Sequence, residues 1–414
     1  MAVIRPFKGV RPAQDLVQEI AALPYDVYSS EEARDFVSDK PNSFLKIDRA
    51  ETFFDPSVDS HSQAIYEKAR DVLYKMIEDG KFIQDPSPVL YIYELTMGGR
   101  HQRGLVACAS VDDYLSGVIK KHENTRADKE LDRINHVDYT DANTGPIFLT
   151  YKAKPSISAL TKSWVASHEA VYDFIAEDNV EHKVWVVDDL KVIEGIVEGF
   201  GGVKGLYIAD GHHRAASAVK VAQMRRESHP GYTGEEEFNY FLSVIFQDEQ
   251  LAIMDYNRVV KDLNGLSETS FLAALKSKFD VTEESASVLK PTEKASFGMY
   301  MNNKWYRLKA KDGSYDAEDP VKSLDVAIIQ DNLLRPILGI EDPKTDQRID
   351  FIGGIRGMAE LERRVKHDMK VAFALYPTSI EELIAIADVG KLMPPKSTWF
   401  EPKLRSGVFI HLLK

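Results

Sequence analysis

The chain has 414 residues, of which 44% are hydrophobic and 28% charged; the net charge is -13 and there is one cysteine. These proportions fit a soluble globular protein of two or three domains, and the acidic balance disfavours general binding to nucleic acid. Lone Cys108 excludes an intrachain disulfide. No apolar run approaches a membrane span, and MAVIRPFKGV lacks the apolar core of a signal peptide, so a cytoplasmic protein is expected.

Residues 1–105 read as a first α/β region. Val3-Ile4 is a short strand candidate. In LPYDVYSSEEARDF, Pro24 presets an extended or turn conformation, and Ser29 or Ser30 can cap a helix starting at Glu31-Glu32. Asp26 is thereby held where a helix begins, as a ligand contact or as an Asx turn that orders the loop. Ser60 to Asp79 places Ile65, Ala69, Val72, Leu73 and Met76 on one helical face. Val89–Leu95 and Arg103–Val111 flank Met97-Gly98-Gly99-Arg100 as a hairpin.

Residues 106–265 read as a second region. His122-Glu123 follows a predicted strand and could supply a general base; a solvated charged face is the blander reading. The sequence HENTR has no second histidine four residues on, so the zinc-protease spacing is absent. Lys129, Asp132 and Arg133 fall on an expected helix. Asn143, Gly145 and Pro146 mark a turn before the strand Ile147–Tyr151. Thr161–Asp173 reads as helix, Lys183–Val187 as strand and Leu190–Phe200 as helix.

The stretch LYIADGHHRAASAVKVAQMRR, Leu206 to Arg226, has the richest chemistry. A short apolar run is broken by Asp210-Gly211, after which Ala215, Ala218, Val219 and Ala222 share a helical face. The first N–H groups of a helix have no partner within it and lie at the positive end of its dipole, which makes an anion site. Gly211 allows close backbone approach, Arg214 can grip a phosphate bidentately, and His212 and His213 can donate, shuttle protons or bind metal. The alternative is an N-capping Asp210 followed by a polar first turn. The clustering of titratable groups at a turn favours a phosphate-binding loop.

Residues 266–414 read as a third α/β region. Phe271–Phe279 is expected to be helical, and Phe297–Met301 and Trp305–Leu308 form a hairpin around Asn302-Asn303. Val321–Leu334 reads as helix. RIDFIGGIRGMAELERRV is strand, glycine turn and helix, without GxGxxG or a Walker lysine. Near the end, Lys396 and Ser397 follow Pro394-Pro395 and could hold a phosphate or carboxylate, as a solvated loop would also look.

IRPFKGVRP, LPYDVYSSEEAR, KKHENTRADKELDR, ANTGPIF, ADGHHRAASA, DFIGG and MPPKSTWFEPKLRSG occur in order along the chain. Together they resemble the family catalogued as domain of unknown function 1015. The DGHHR block is also similar to the ParB/sulfiredoxin-like group, some of whose members are free-serine kinases. The resemblance implies an α+β fold with a ParB-like core near 106–265 and additional N- and C-terminal α/β regions. It implies a kinase that uses ATP or ADP with Mg²⁺ and converts the hydroxyl of free L-serine to O-phosphoserine.

Carried over by position, Glu123 is the base and His122 its neighbour. Asp210, Gly211, His212, His213 and Arg214 form the phosphate turn, with Asp210 also a metal ligand. Asp26, Asn143, Lys396 and Ser397 are substrate-binding candidates. About ninety residues divide His122-Glu123 from the turn, so the pairing requires an insertion within Phe148–Phe200. Partners are then a nucleotide and a small-molecule substrate, with no membrane; a homodimer is left open. Two other classes stand beside the kinase. One is a ParB-like nucleotide-binding regulator without turnover, disfavoured by the negative charge and by the lack of a clear helix-turn-helix. The other is a phosphoester hydrolase with a metal on Asp210, His212 and His213. Sulfiredoxin chemistry is disfavoured because the residue before His213 is His212, not cysteine.

Overall fold

The computed structural model describes residues 1–125, 127–284 and 288–414. The chain forms two compact units, Met1–Leu251 with Pro402–Lys414, and Ala252–Glu401. Both are α+β.

The first unit is built on a nine-stranded sheet. Its strands are β1 (Ile4–Arg5), β2 (Leu90–Met97), β3 (Arg100–Ser110), β4 (Ile119–Lys120), β5 (Ile147–Tyr151), β6 (Tyr172–Ile175), β7 (Glu181–Val187), β8 (Leu206–Asp210) and β9 (Tyr240–Gln247). The order across the sheet is β4-β8-β5-β9-β3-β2-β7-β6, with β1 pairing β3. Most pairs are antiparallel, but β4 runs parallel to β8, and β5 parallel to β9. Helices α1 (Ser30–Val37), α2 (Leu45–Asp48), α3 (Gln63–Glu78), α4 (Ala127–Thr140), α5 (Pro155–Ser167), α6 (Leu190–Gly201) and α7 (His212–Ser228) complete this unit's main framework.

The local rules explain many boundaries. Ser29 accepts from the Glu32 N–H while Glu32 reaches back to the Ser29 N–H, a reciprocal cap that starts α1. The β2–β3 hairpin turns at Gly98-Gly99. Helix α7 buries Ala215, Ala218, Val219 and Ala222, the face read from the sequence, against a core with Leu105, Leu149, Ile208 and Ile245 of the sheet and Ile196 and Phe200 of α6. Cys108 is buried in β3. A second core joins Phe44, Ile47, Leu73 and Phe82 to Val10 and Ile410.

Several boundaries depart from the sequence reading. The helix expected over Thr161–Asp173 starts at Pro155 and ends at Ser167, and Tyr172–Ile175 is a strand in which burial alternates. Proline is at home in a first helical turn, so Pro155 marks a start. The boundary expected at 105 falls inside β3, which pairs with β2 on one side and β9 on the other. The last thirteen residues return to the first unit: Ser406 bridges to Ala22, Ile410 to Val10, and His411 pairs with Asn143.

In the second unit, six strands run antiparallel in the order Phe279–Glu284, Lys304–Ala310, Ser296–Met301, Val371–Ala374, Tyr256–Val260, Ile349–Gly353. Asn302 and Asn303 both have positive φ at the hairpin, as a type I′ turn requires. The helix expected to reach Phe279 ends at Leu275, because Phe279 already pairs with Ala310 in the sheet.

The returning tail depends on Gly407. Its φ is +82°, and a Cβ there would lie 2.5 Å from Cγ of buried Phe44. Left-handed backbone costs a non-glycine residue roughly 1–2 kcal/mol, and core overpacking typically 1–3 kcal/mol more. Gly407→Ala is therefore expected to destabilise the protein by at least about 2 kcal/mol. Denaturant unfolding followed by circular dichroism checks this; an unchanged midpoint contradicts it.

Candidate functional site

Parallel pairing of β4 with β8 sets Ile119 opposite Leu206 and Lys120 opposite Tyr207. Both strands end on the same edge of the sheet, so His122-Glu123 and the Asp210–Arg214 turn emerge side by side despite their separation in sequence. The intervening Phe148–Phe200 stretch supplies β6 and β7, α5 and most of α6. The β8–β5 register shifts between Ile208 and Asp210, leaving Ala209 as an extra residue. Such a bulge re-aims the chain, here immediately before the turn.

Gly211 is the N-cap of α7, with φ 90° and ψ 31°. The left-handed value explains the glycine. A Cβ there would sit 3.3 Å from Arg214 Nε, so the arginine folds over the turn. Arg214 Nη1 donates to the Pro146 carbonyl at 2.7 Å, tying the turn to the ANTGP segment. The capping alternative for Asp210 fails in one respect: the N-cap is Gly211 and has no side-chain bond. Asp210 instead accepts from the Gly211 N–H at 2.8 Å through Oδ1 and from Lys403 Nζ at 3.0 Å through Oδ2. Burial alone would raise its pKa, but Lys403 and Arg214, with the two hydrogen bonds, hold it well below the usual carboxylate range.

His122 and His212 form an edge-to-face pair with ring centroids 4.5 Å apart. His122 is 2% exposed, and neither of its nitrogens makes a well-aligned hydrogen bond within the protein, although the Ile208 backbone lies near enough to favour the charged ring. His212 Nε2 is likewise buried without a protein partner. Burial, reinforced by His212, keeps His122 neutral. Burial brings the His212 pKa down to about 4, with Asp210 opposing. Leaving a buried polar atom unpaired costs about 1–3 kcal/mol, so the packing of these two rings beside the turn is a local cost to stability. Glu123 Oε2 is 4.0 Å from His212 Nδ1, and the Glu123 side chain remains 38% exposed. It can meet a solute as the buried imidazoles cannot.

A cavity of about 30 Å³ beside the turn is lined by Tyr25, Asp48, Arg133, Asn143, Gly145 and Arg214, among others. A larger one of about 460 Å³ shares Tyr25, Asp48, Arg133 and His136 with it. The Arg133 guanidinium lies 4.1 Å from the centre of the Tyr25 ring. Tyr25 is raised to about 12 by burial, with Arg133 and Arg214 lowering it and Asp26 raising it.

The sequence candidates are thus distributed unevenly. Glu123, His122 and Asp210 to Arg214 come together. Asn143 lines the small cavity, but its side-chain oxygen accepts from the Leu242 N–H at 3.1 Å and contacts His411. Asp26 is exposed on a short turn; its neighbour Tyr25 faces the cavities. Lys396 and Ser397 belong to the second unit, where the Lys396 carbonyl accepts from Arg258 and the Ser397 hydroxyl donates to Pro394. The lysine of that C-terminal block that reaches the turn is Lys403. It stood in the recognised block, but only the tail's return to the first unit shows which lysine arrives. Tyr25, Asp48 and Arg133 were likewise missed as cavity residues.

Both Asp210 oxygens are engaged by Lys403 and Gly211, and among the described residues no three His, Cys, Asp or Glu side chains converge as metal ligands. Lys403 supplies positive charge at the Asp210 carboxylate, the group the sequence reading named as a metal ligand.

The model of a family described as a protein of unknown function, DUF1015, matches residues 4–327. The chain belongs to this family. No curated protein gives a significant match to this DUF1015 chain. Among solved structures, a free serine kinase variant in complex with AMP is 13% identical, with a TM-score of 0.37, covering 73% of this chain and 91% of its own. A conserved hypothetical protein from Pyrococcus furiosus is 15% identical at a TM-score of 0.35, covering 75% and 95%. SbnI from Staphylococcus aureus, truncated at its C-terminus, is 11% identical at 0.38, covering 74% and 87%. Likeness at that level fixes no activity. No helix among the described residues is long and apolar enough to cross a membrane.

The buried imidazoles make a pH prediction. His136, at about 4 through burial and Arg133, joins His212 in being neutral when folded, whereas an unfolded histidine titrates near 6.5. Between those values the unfolded chain binds more protons, so stability is full above 6.5 and is lost as pH falls towards 4. The melting temperature is expected to fall over that window, less steeply in His136→Gln. A flat profile, or the same slope in the variant, contradicts this.

Proposed function

We propose that this protein is a nucleotide-dependent small-molecule kinase that phosphorylates the hydroxyl of free L-serine. The observation that carries the reading is the meeting of Glu123 with the DGHHR turn: a half-buried carboxylate 4.0 Å from a residue in the first turn of a helix suited to phosphate.

The N–H groups at the start of α7 bind phosphate oxygens, and Arg214 and Lys403 add positive charge. Glu123 accepts the proton of the acceptor hydroxyl as its oxygen bonds to the terminal phosphorus of ATP or ADP. The bond from that phosphorus to the leaving nucleotide breaks, giving O-phosphoserine and ADP or AMP. Phosphoryl transfer asks mainly for positioning and charge neutralisation, which these groups supply. His122 and His212, neutral and packed edge to face, position Glu123 and the turn. Mg²⁺ would accompany the nucleotide and neutralise phosphate charge, with Asp210 its candidate protein carboxylate beside Lys403. The hydrolase reading has no support in the arrangement of Asp210, His212 and His213, and no observation favours the regulator.

Incubation with L-serine, Mg²⁺ and ATP or ADP is expected to yield O-phosphoserine. Glu123→Gln should lower turnover at least 100-fold, in line with the roughly 10²–10⁴-fold worth of a positioned base. Full activity in Glu123→Gln removes its role. No product with either nucleotide removes serine as acceptor.

A further inference from the structure

The larger cavity in the first unit is lined mainly by α2–α4 and the segments joining them, and its lining includes Asp48, Glu51 and Asp132 with Arg49, Lys129 and Arg133. Its volume of about 460 Å³ falls within the roughly 300–1,000 Å³ of ordinary small-molecule sites. Most of its charges are already matched. Arg133 pairs with Asp132 at 2.8 Å, and Asp132 also accepts from the Tyr66 hydroxyl at 3.0 Å. Arg49 pairs with Glu51 at 3.2 Å.

Asp48 is the exception. It is 4% exposed and lines both this cavity and the one at Arg214. Its one hydrogen bond comes from the Thr144 hydroxyl at 3.1 Å, and among the described residues it has no ion-pair partner. A buried carboxylate is held best by a cation in direct contact, and without one part of its desolvation cost stands. Arg133 acts on Asp48 electrostatically, but its guanidinium is bonded to Asp132 at 2.8 Å, so Asp48 has no cation in direct contact among the described residues and keeps room for a donor from a solute that enters the cavity.

We propose that this cavity is a binding site for a small molecule with a primary ammonium group, and that Asp48 holds the ammonium. A monovalent ammonium fits better than a divalent metal, because Glu51 and Asp132 are committed to their arginines. Lys129 lines the same cavity without an ion pair among the described residues, so a carboxylate at the far end of the ligand finds a partner too. The ligand class is therefore the zwitterionic amino acid. The ammonium preference stands on the cavity alone; naming this ligand as the phosphoryl acceptor rests on the kinase reading.

The test is calorimetric titration without nucleotide, using the twenty amino acids, ethanolamine and D-glycerate, the hydroxy acid that lacks serine's amine. At least one amine is expected to bind saturably, with D-glycerate at least tenfold weaker than L-serine or ethanolamine where these bind. Asp48→Asn keeps an oxygen for Thr144 and removes the charge. It should weaken the amine at least tenfold while leaving the unliganded melting temperature unchanged or higher. Absence of any amine binding, equal binding by Asp48→Asn, or a lower melting temperature in that variant overturns the proposal. Amine binding without phosphoserine formation would remove the kinase reading and leave the pocket. Phosphoserine formation with an unchanged serine KM in Asp48→Asn would do the reverse.

Discussion

The site depends on a pairing of only two residues. Ile119 and Lys120 lie parallel to Leu206 and Tyr207, and from that register the rest follows. Two loops distant in sequence leave the sheet together, one carrying Glu123 and the other Gly211 and Arg214. A one-residue slip would turn each side chain on β4 to the opposite face and break the approach of Glu123 to His212.

Charge placement is the second constraint. The chain is acidic overall, at -13, yet Arg214 and Lys403 both act on Asp210 at this turn. Lys403 arrives only because the last thirteen residues fold back onto the first unit. The lysine neutralises Asp210 from 3.0 Å. The two neutral imidazoles are buried beside it, edge to face, at a cost in incompletely bonded nitrogens.

The turn was legible in the sequence because its signals are local: an apolar run, a glycine, then apolar residues at helical spacing. The same holds for the Ser29 cap and the Asn302-Asn303 hairpin. The joining of β4 to β8 was not legible in the spacing of residues, since a pairing across about ninety positions leaves no periodic trace; the resemblance of the HENT and DGHHR blocks implied only that Glu123 and the turn share a site. The mirror case is the C-terminal block. Lys396 and Ser397 attracted attention beside two prolines, whereas Lys403 was selected by long-range tail pairing. Tyr25 and Asp48 were passed over because a single tyrosine or aspartate in a helical segment looks ordinary until a cavity is seen against it.

The central claim is that the DGHHR turn binds nucleotide phosphate independently of the base. The direct measurement is a calorimetric titration of ADP into the wild type, Glu123→Gln and Arg214→Ala. The account predicts saturable binding to the wild type, similar affinity in Glu123→Gln, and at least a tenfold loss in Arg214→Ala. No binding to the wild type, or equal affinity in Arg214→Ala, would contradict it.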